Sequence, residues 1–295
     1  MVSGGARGVT AACLLTLARA NKPRFVLLGR SRIDGAEAPQ VAAAKDEAGI
    51  KKALFATEKG LTPAEMGKRT AAILAAREAR ANIAALEAAG SKVTYLAVDV
   101  ADAAALAAAL GRVRSEWGPI TGLVHGAGII QDKHIAQKTE ASFDAVYDTK
   151  IAGLFAMLAA TTNDPLRAIV LFSSVAARGG NVGQCDYATA NEALNRIAAS
   201  EAARRPGCVV KSIGWGPWAG GMVTPALAKQ FAAMGVPLLP IDVGAQMFVA
   251  ELAAPGAVEI VVGGMIRDNT GVRTVNARTY PFLRDHSIEI GRAHV

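Results

Sequence analysis

The chain has 295 residues, is 52% hydrophobic with only 5% aromatic residues, and carries a formal charge of +7. That length suits one large α/β domain or two small ones. No run of about 18 uninterrupted apolar residues marks a membrane span, and the opening residues do not read as a secretory leader. The basic residues are scattered and aromatic platforms are scarce, which argues against nucleic-acid binding. Cys13, Cys185 and Cys208 have no Cys-x-x-Cys spacing and form no disulfide framework, so a cytoplasmic protein is expected, with Cys185 a small packing residue.

The chain opens on Val2-Ser3-Gly4-Gly5-Ala6-Arg7-Gly8-Val9-Thr10. Glycines here let the backbone approach a pyrophosphate, and the helix expected over residues 8–21 offers its N-terminal N–H groups to it. Only a vestige of strand precedes Ser3, so the N-terminus reads as cut. Residues 24–29 form the second strand, followed by Arg30-Ser31-Arg32. A fold specific for NAD favours an acidic residue here; Arg30, Ser31 and Arg32 suit a ribose 2′-phosphate, so NADPH is expected.

Residues 33–90 exceed what a strand-to-strand crossover needs. Alanine dominates, with charges at helical spacing, so they read as an inserted helix or two followed by the crossover helix, with Thr62 and Pro63 as N-cap and first turn. Residues 92–98 form the third strand, leading to Asp99-Val100, and Asp102 is placed to cap the next helix. Residues 120–125 form the fourth strand and run into Gly126-Ala127-Gly128. His125 has only His134 nearby and no cysteine, so no metal site is expected.

Residues 167–172 form a short apolar run typical of a buried parallel strand, which delivers Ser174 at its carboxyl end, where open α/β sheets bind ligands. A helix starting near Gln184 stacks Tyr187 and Asn191 on one face. With Lys150 upstream, these side chains make a proton-donating site. A tyrosine titrates near roughly 10, a nearby ammonium lowers that value, and a serine hydroxyl can share charge developing on a carbonyl oxygen. Residues 208–214 are the sixth strand, residues 219–236 a Gly/Pro-punctuated segment suited to a hinge, residues 241–253 a helix and residues 258–262 the last strand. Together these elements predict a doubly wound parallel α/β sheet of Rossmann type with a helical insertion after the second strand.

The quartet Lys150, Ser174, Tyr187 and Asn191 resembles the ketoreductase domains of polyketide and fatty-acid synthases, a branch of the short-chain dehydrogenases. Ordinary members carry Tyr-x-x-x-Lys; here Asn191 holds the lysine's place and Lys150 lies earlier, an exchange typical of the synthase ketoreductases. The opening loop fits the family's Thr-Gly-x-x-x-Gly-x-Gly, with Ser3 for the threonine and Thr10 in place of the third glycine. The resemblance implies that Ser3, Gly4, Gly5, Arg7, Gly8, Arg30, Ser31, Asp99, Val100, His125, Gly126, Ala127, Trp215 and Gly216 bind the cofactor. Tyr187 is then the proton donor, Ser174 polarises the ketone, Lys150 lowers the Tyr187 pKa and Asn191 positions the relay.

The insertion at residues 33–90 resembles that of ketoreductases in polyunsaturated fatty acid synthases. Asp132 matches the last residue of the family's Leu-Asp-Asp, and Gly179 stands where the opposite stereochemical class has tryptophan. With Gln184 and Met222 as further substrate-side residues, a D-type alcohol is expected. The implied reaction is NADPH-dependent reduction of a 3-oxoacyl chain on an acyl carrier protein. Residues 278–286 resemble the start of a dehydratase domain, with His286 as its histidine. The expected organisation is a reductase domain over residues 1–265, a linker and dehydratase-like start over residues 266–289, and a non-native tail over residues 290–295. A free-standing dehydrogenase acting on a small ketone and a non-catalytic synthase domain stand as the alternatives.

Overall fold

The computed structural model describes residues 1–254 and 256–263, together with the backbone of residues 267–268, 271–272 and 290–291. Seven parallel strands form its centre: β1 (Val2–Ser3), β2 (Phe25–Gly29), β3 (Val93–Ala97), β4 (Gly122–His125), β5 (Ala168–Ser174), β6 (Val209–Trp215) and β7 (Glu259–Val262). They are ordered β7-β6-β5-β4-β1-β2-β3, and Ile290–Gly291 adds an antiparallel pair to β7. The remaining residues of the dehydratase-like stretch, His286 included, and of the expected tail lie outside the described residues.

β5 shows why the sheet is buried on both faces. Ile169, Val170, Leu171 and Phe172 are all buried in succession, two packing into each of two separate cores. A parallel strand covered by helices on both sides requires such an unbroken apolar run. The short first strand lies at the centre of the sheet: Val2 and Ser3 pair with Leu27 and Leu28 on one side and with Val124 and His125 on the other. The strand order reverses between β1 and β4, and at their carboxyl ends this topology opens a ligand crevice.

The helices are α1 (Gly8–Asn21), α2 (Pro39–Ala43), α3 (Glu47–Thr57), α4 (Pro63–Ala88), α5 (Ala103–Trp117), α6 (Glu140–Ala160), α7 (Ala176–Gly179), α8 (Cys185–Arg204), α9 (Pro225–Ala233) and α10 (Ile241–Ala253). α1 and α10 pack together over one face, while α5, α6 and α8 adjoin one another over the other. Both expected caps form. Thr62 and Glu65 close a reciprocal capping box behind Pro63, and the Asp102 carboxylate accepts the Ala105 amide at 3.0 Å. The insertion is α2, α3 and the first half of α4, held by a small core of Val41, Ile50 and Leu54. Because α4 runs unbroken for 26 residues, the inserted and crossover segments are one helix, and that continuity carries it past the glycine loop after β1.

Candidate active site

A cleft of about 1500 Å³ opens along the carboxyl ends of the strands. Its floor begins at the turn after β1. Gly4 takes φ +67°, a conformation that glycine adopts without strain, and a Cβ there would stand 2.9 Å from the backbone of Gly126 and Ala127. The same requirement is met by exchange at the third glycine position. Thr10 is buried against Gly126, where an added Cβ would lie 2.5 Å from the Thr10 hydroxyl, so the glycine of the facing turn makes the room that Thr10 fills.

The cofactor residues expected from sequence divide into two groups. Gly4, Arg7, Gly8, Arg30, Ser31, Asp99, Val100, Gly126, Ala127, Trp215 and Gly216 line the cleft. Ser3, Gly5 and His125, also expected to bind the cofactor, do not line the cleft. Ser3 Oγ accepts the Ala127 amide at 3.3 Å and lies 2.7 Å from His125 Nδ1, so the pair underpins the Gly126-Ala127 turn. Gly5 is needed for packing, since a Cβ would meet Val2, Leu14 and Leu27. Burial, and secondarily the Lys150 ammonium, lowers the His125 pKa to about 3, which leaves it a neutral structural ring.

Two lining residues are not singled out by the sequence. Tyr95 of β3 donates its hydroxyl to the Ser31 carbonyl at 2.7 Å and fills the space above Gly29, where no Cβ could fit. Glu78 of α4 reaches the start of α1: its carboxylate accepts the Gly8 amide at 2.9 Å and Arg7 Nε at 3.1 Å. Arg32, by contrast, is held by Asp34 at an exposed turn.

At the other end of the cleft stand Lys150 from α6, Ser174 from β5 and Tyr187 from α8. Lys150 is buried, donates to the Phe172 carbonyl at 2.9 Å and sits 5.6 Å from the centroid of the Tyr187 ring. Burial lowers its pKa to about 8. The expected depression of Tyr187 by this ammonium is not what the geometry gives. Burial raises the Tyr187 phenol, opposed chiefly by its hydrogen bond with Ser174. Asn191 does not line the cleft; its Nδ2 donates to the Tyr187 carbonyl at 2.7 Å, while its buried Oδ1 has no partner among the described residues.

On the substrate side, Gln184 and Met222 line the cleft, whereas Asp132 sits just outside it, its carboxylate accepting from Gln184 Nε2 at 2.9 Å. α9 overhangs the mouth with none of its residues buried, and Leu227 and Phe231 face the cleft. Gly221, at φ +65°, links this helix to the sheet and lies against Val9 at the head of α1. Among the described residues, no cluster of His, Cys, Asp or Glu could hold a metal ion, and no helix is long and apolar enough to cross a membrane.

Residues 1–220 match the family model described as KR domain. A chain of the polyunsaturated fatty acid synthase of Thraustochytrium is 39% identical over 308 aligned positions, covering 98% of this chain and 11% of that protein. An erythronolide synthase of Saccharopolyspora erythraea is 35% identical over 176 positions, covering 59% of this chain and 5% of the relative. This chain therefore spans only a small fraction of these relatives. Among solved structures, an A1-type ketoreductase matches 90% of this chain and 47% of its own length at TM-score 0.64 and 28% identity. An N-terminal ketoreductase from the macrolactin assembly line matches 89% of this chain and 44% of its own at TM-score 0.67 and 23% identity, a likeness of fold.

Proposed function

Because this chain belongs to the KR domain family, we propose that it reduces the ketone of a 3-oxoacyl chain to the 3-hydroxyacyl alcohol, with NADPH as hydride donor, as part of a larger synthase. The observation that carries this reading is the convergence of Lys150, Ser174 and Tyr187 on one cleft that also holds the glycine loop. The residues fit a phosphorylated dinucleotide. Gly4 lines the cleft at a turn of φ +67°, Arg7 and Gly8 start α1 beside it, and Arg30 with Ser31 stands at the end of β2. When bound, NADPH supplies the hydride.

The protein's own part is proton donation and charge stabilisation. Ser174, which hydrogen-bonds with the Tyr187 phenol, orients the ketone oxygen. Tyr187 gives its proton to that oxygen as negative charge develops there. Its raised pKa keeps the phenol protonated in the resting enzyme. Lys150, held on the Phe172 carbonyl beside the phenol, feeds the next proton in once the phenol has given up its own. Asn191 completes this relay from below, its Oδ1 offering an acceptor.

The substrate is taken to be carried by an acyl carrier protein. The exposed apolar side chains of Ile130 and Met222, both on the cleft wall, suit an acyl chain. The Asp132–Gln184 contact and Gly179 favour the D-type alcohol. The reductase unit is assigned to residues 1–265, with residues 266–289 leading into a dehydratase-like domain. The test is consumption of NADPH with a 3-oxoacyl thioester, by wild type and Tyr187→Phe, with chiral analysis of the product. Loss of turnover by about a hundredfold or more in a folded Tyr187→Phe protein supports the reading. Unchanged turnover would sink it, and an L-configured alcohol would overturn the stereochemical part alone.

A further inference from the structure

At the first turn of the catalytic helix α8 lies an ion pair that the reduction itself does not use. Lys138 Nζ stands 2.6 Å from Asp186 Oδ2, and the two side chains are only 4% and 1% exposed. Both charges have further partners. Lys138 Nζ donates to the Gln131 carbonyl at 3.0 Å, and Asp186 Oδ1 accepts the backbone amide of Tyr187 at 2.8 Å. Two more bonds run parallel to it between the same segments: the Lys133 amide to the Gly183 carbonyl at 3.0 Å, and Gln184 to Asp132. The loop that follows β4 is thus tied at three points to the turn that starts α8.

We propose that Lys138 and Asp186 are positioning residues: their buried pair locks the loop bearing Gln131 and Asp132 against the backbone of Tyr187, and so fixes the proton donor relative to the bound ketone. The inference rests on the reductase reading, since it assigns Tyr187 as that donor. Two charges taken out of water must recover a large desolvation cost, and a pair serving stability alone is readily replaced by packed apolar side chains. What this pair adds is direction. Asp186 has one oxygen on the loop's lysine and the other on the tyrosine's own amide, so movement of the loop is transmitted directly to the catalytic residue. The same loop supplies Asp132 beside the cleft, so the lock also sets which face of the ketone meets the hydride. A misplacement of about 1 Å is enough to depress a rate by orders of magnitude.

The test uses the full chain with Lys138→Met, Lys138→Arg and the double replacement Lys138→Met/Asp186→Asn, which removes both charges together. Amide hydrogen exchange reads the lock without reference to activity. In Lys138→Met, residues 129–139 and 181–188 are expected to exchange about tenfold faster while the rest of the sheet keeps wild-type protection, with Lys138→Arg restoring most of the difference. Wild-type exchange in those segments overturns the proposal. Acceleration spread over the whole protein, in the double replacement as well as the single one, overturns it too, because the pair is then a general stabiliser. With a prochiral ketone, Lys138→Met is expected to lower kcat about tenfold or more, leave the NADPH Kd within about twofold, and reduce the enantiomeric excess. Loosened segments with unchanged kcat and enantiomeric excess refute positioning. A wild-type protein that turns over no ketone refutes the reductase reading instead, and the exchange experiment then decides the lock alone.

Discussion

Glu78 and Gly8 are joined across the head of the cleft: the glutamate carboxylate accepts the Gly8 amide at 2.9 Å while its other oxygen accepts from Arg7. These are the donors that a helix N-terminus offers to a phosphate. One N–H cannot serve two anions, so Glu78 of α4 and a dinucleotide phosphate would compete for the same groups. Arg7 and Glu78 remain 55% and 45% exposed, and a pair so open to water is worth about 1 kcal/mol or less. Glu78→Ala is therefore expected to tighten NADPH binding by about two- to fivefold, read as the Kd from cofactor fluorescence. Weaker binding would show instead that Glu78 holds Arg7 in place for the cofactor.

Lys150 gives the clearest pH signature. Burial lowers its ammonium to about 8, whereas Tyr187, raised by burial, titrates above an ordinary tyrosine. A relay that draws on the Lys150 proton loses it first as pH rises. The profile of kcat/KM, which reports the free enzyme, is expected to fall above about pH 8 in the wild type. In Lys150→Met that limb disappears and activity is low throughout. A wild-type profile flat through pH 8 would remove Lys150 from the relay.

Under the proposed function, Arg30 is the residue expected to distinguish the two nicotinamide dinucleotides. It lies exposed at the turn after β2 and lines the cleft, whereas its neighbour Arg32 is engaged by Asp34. A charge-assisted hydrogen bond to a phosphate contributes about 1.5–3 kcal/mol. Arg30→Ala is accordingly expected to weaken NADPH about tenfold and to leave NADH nearly unchanged, measured as the two dissociation constants side by side.

The sheet was legible because its signals are local. Apolar runs such as residues 167–172 and caps such as Asp102 and Thr62 depend on neighbours in sequence. Tyr187, Ser174 and Lys150 were legible because a family spacing ties them together. The parts that were missed depend on contacts between distant segments. Glu78 sits among the alanines and charges of a long helix, and nothing nearby separates it from a solvated glutamate; only the continuity of α4 brings it to Gly8. Lys138 and Asp186 belong to segments that meet only through the fold. Ser3 and His125 show that a motif position does not give the direction of a side chain. Their motif positions are those of cofactor ligands, yet each is turned onto the other, and the cleft meets the Gly126-Ala127 turn they support.

That support leads to a prediction about acid stability. The buried His125 ring is held neutral, with its pKa lowered to about 3 from an ordinary 6.5, first by burial and then by Lys150. Below pH 6.5 the unfolded chain therefore binds a proton that the folded one refuses. Folding stability from this group is fully present above pH 6.5 and is lost progressively as pH falls toward 3, at about 1.4 kcal/mol per unit. His125→Asn keeps a polar side chain beneath the Gly126-Ala127 turn and cannot titrate. The variant is expected to be less stable than wild type at pH 8, having lost the fitted Ser3 contact, and the gap is expected to narrow as pH falls to 5. Urea unfolding of both proteins across that range measures it. Parallel curves would mean that another group carries the acid sensitivity and that His125 is solvated enough to protonate in the folded state.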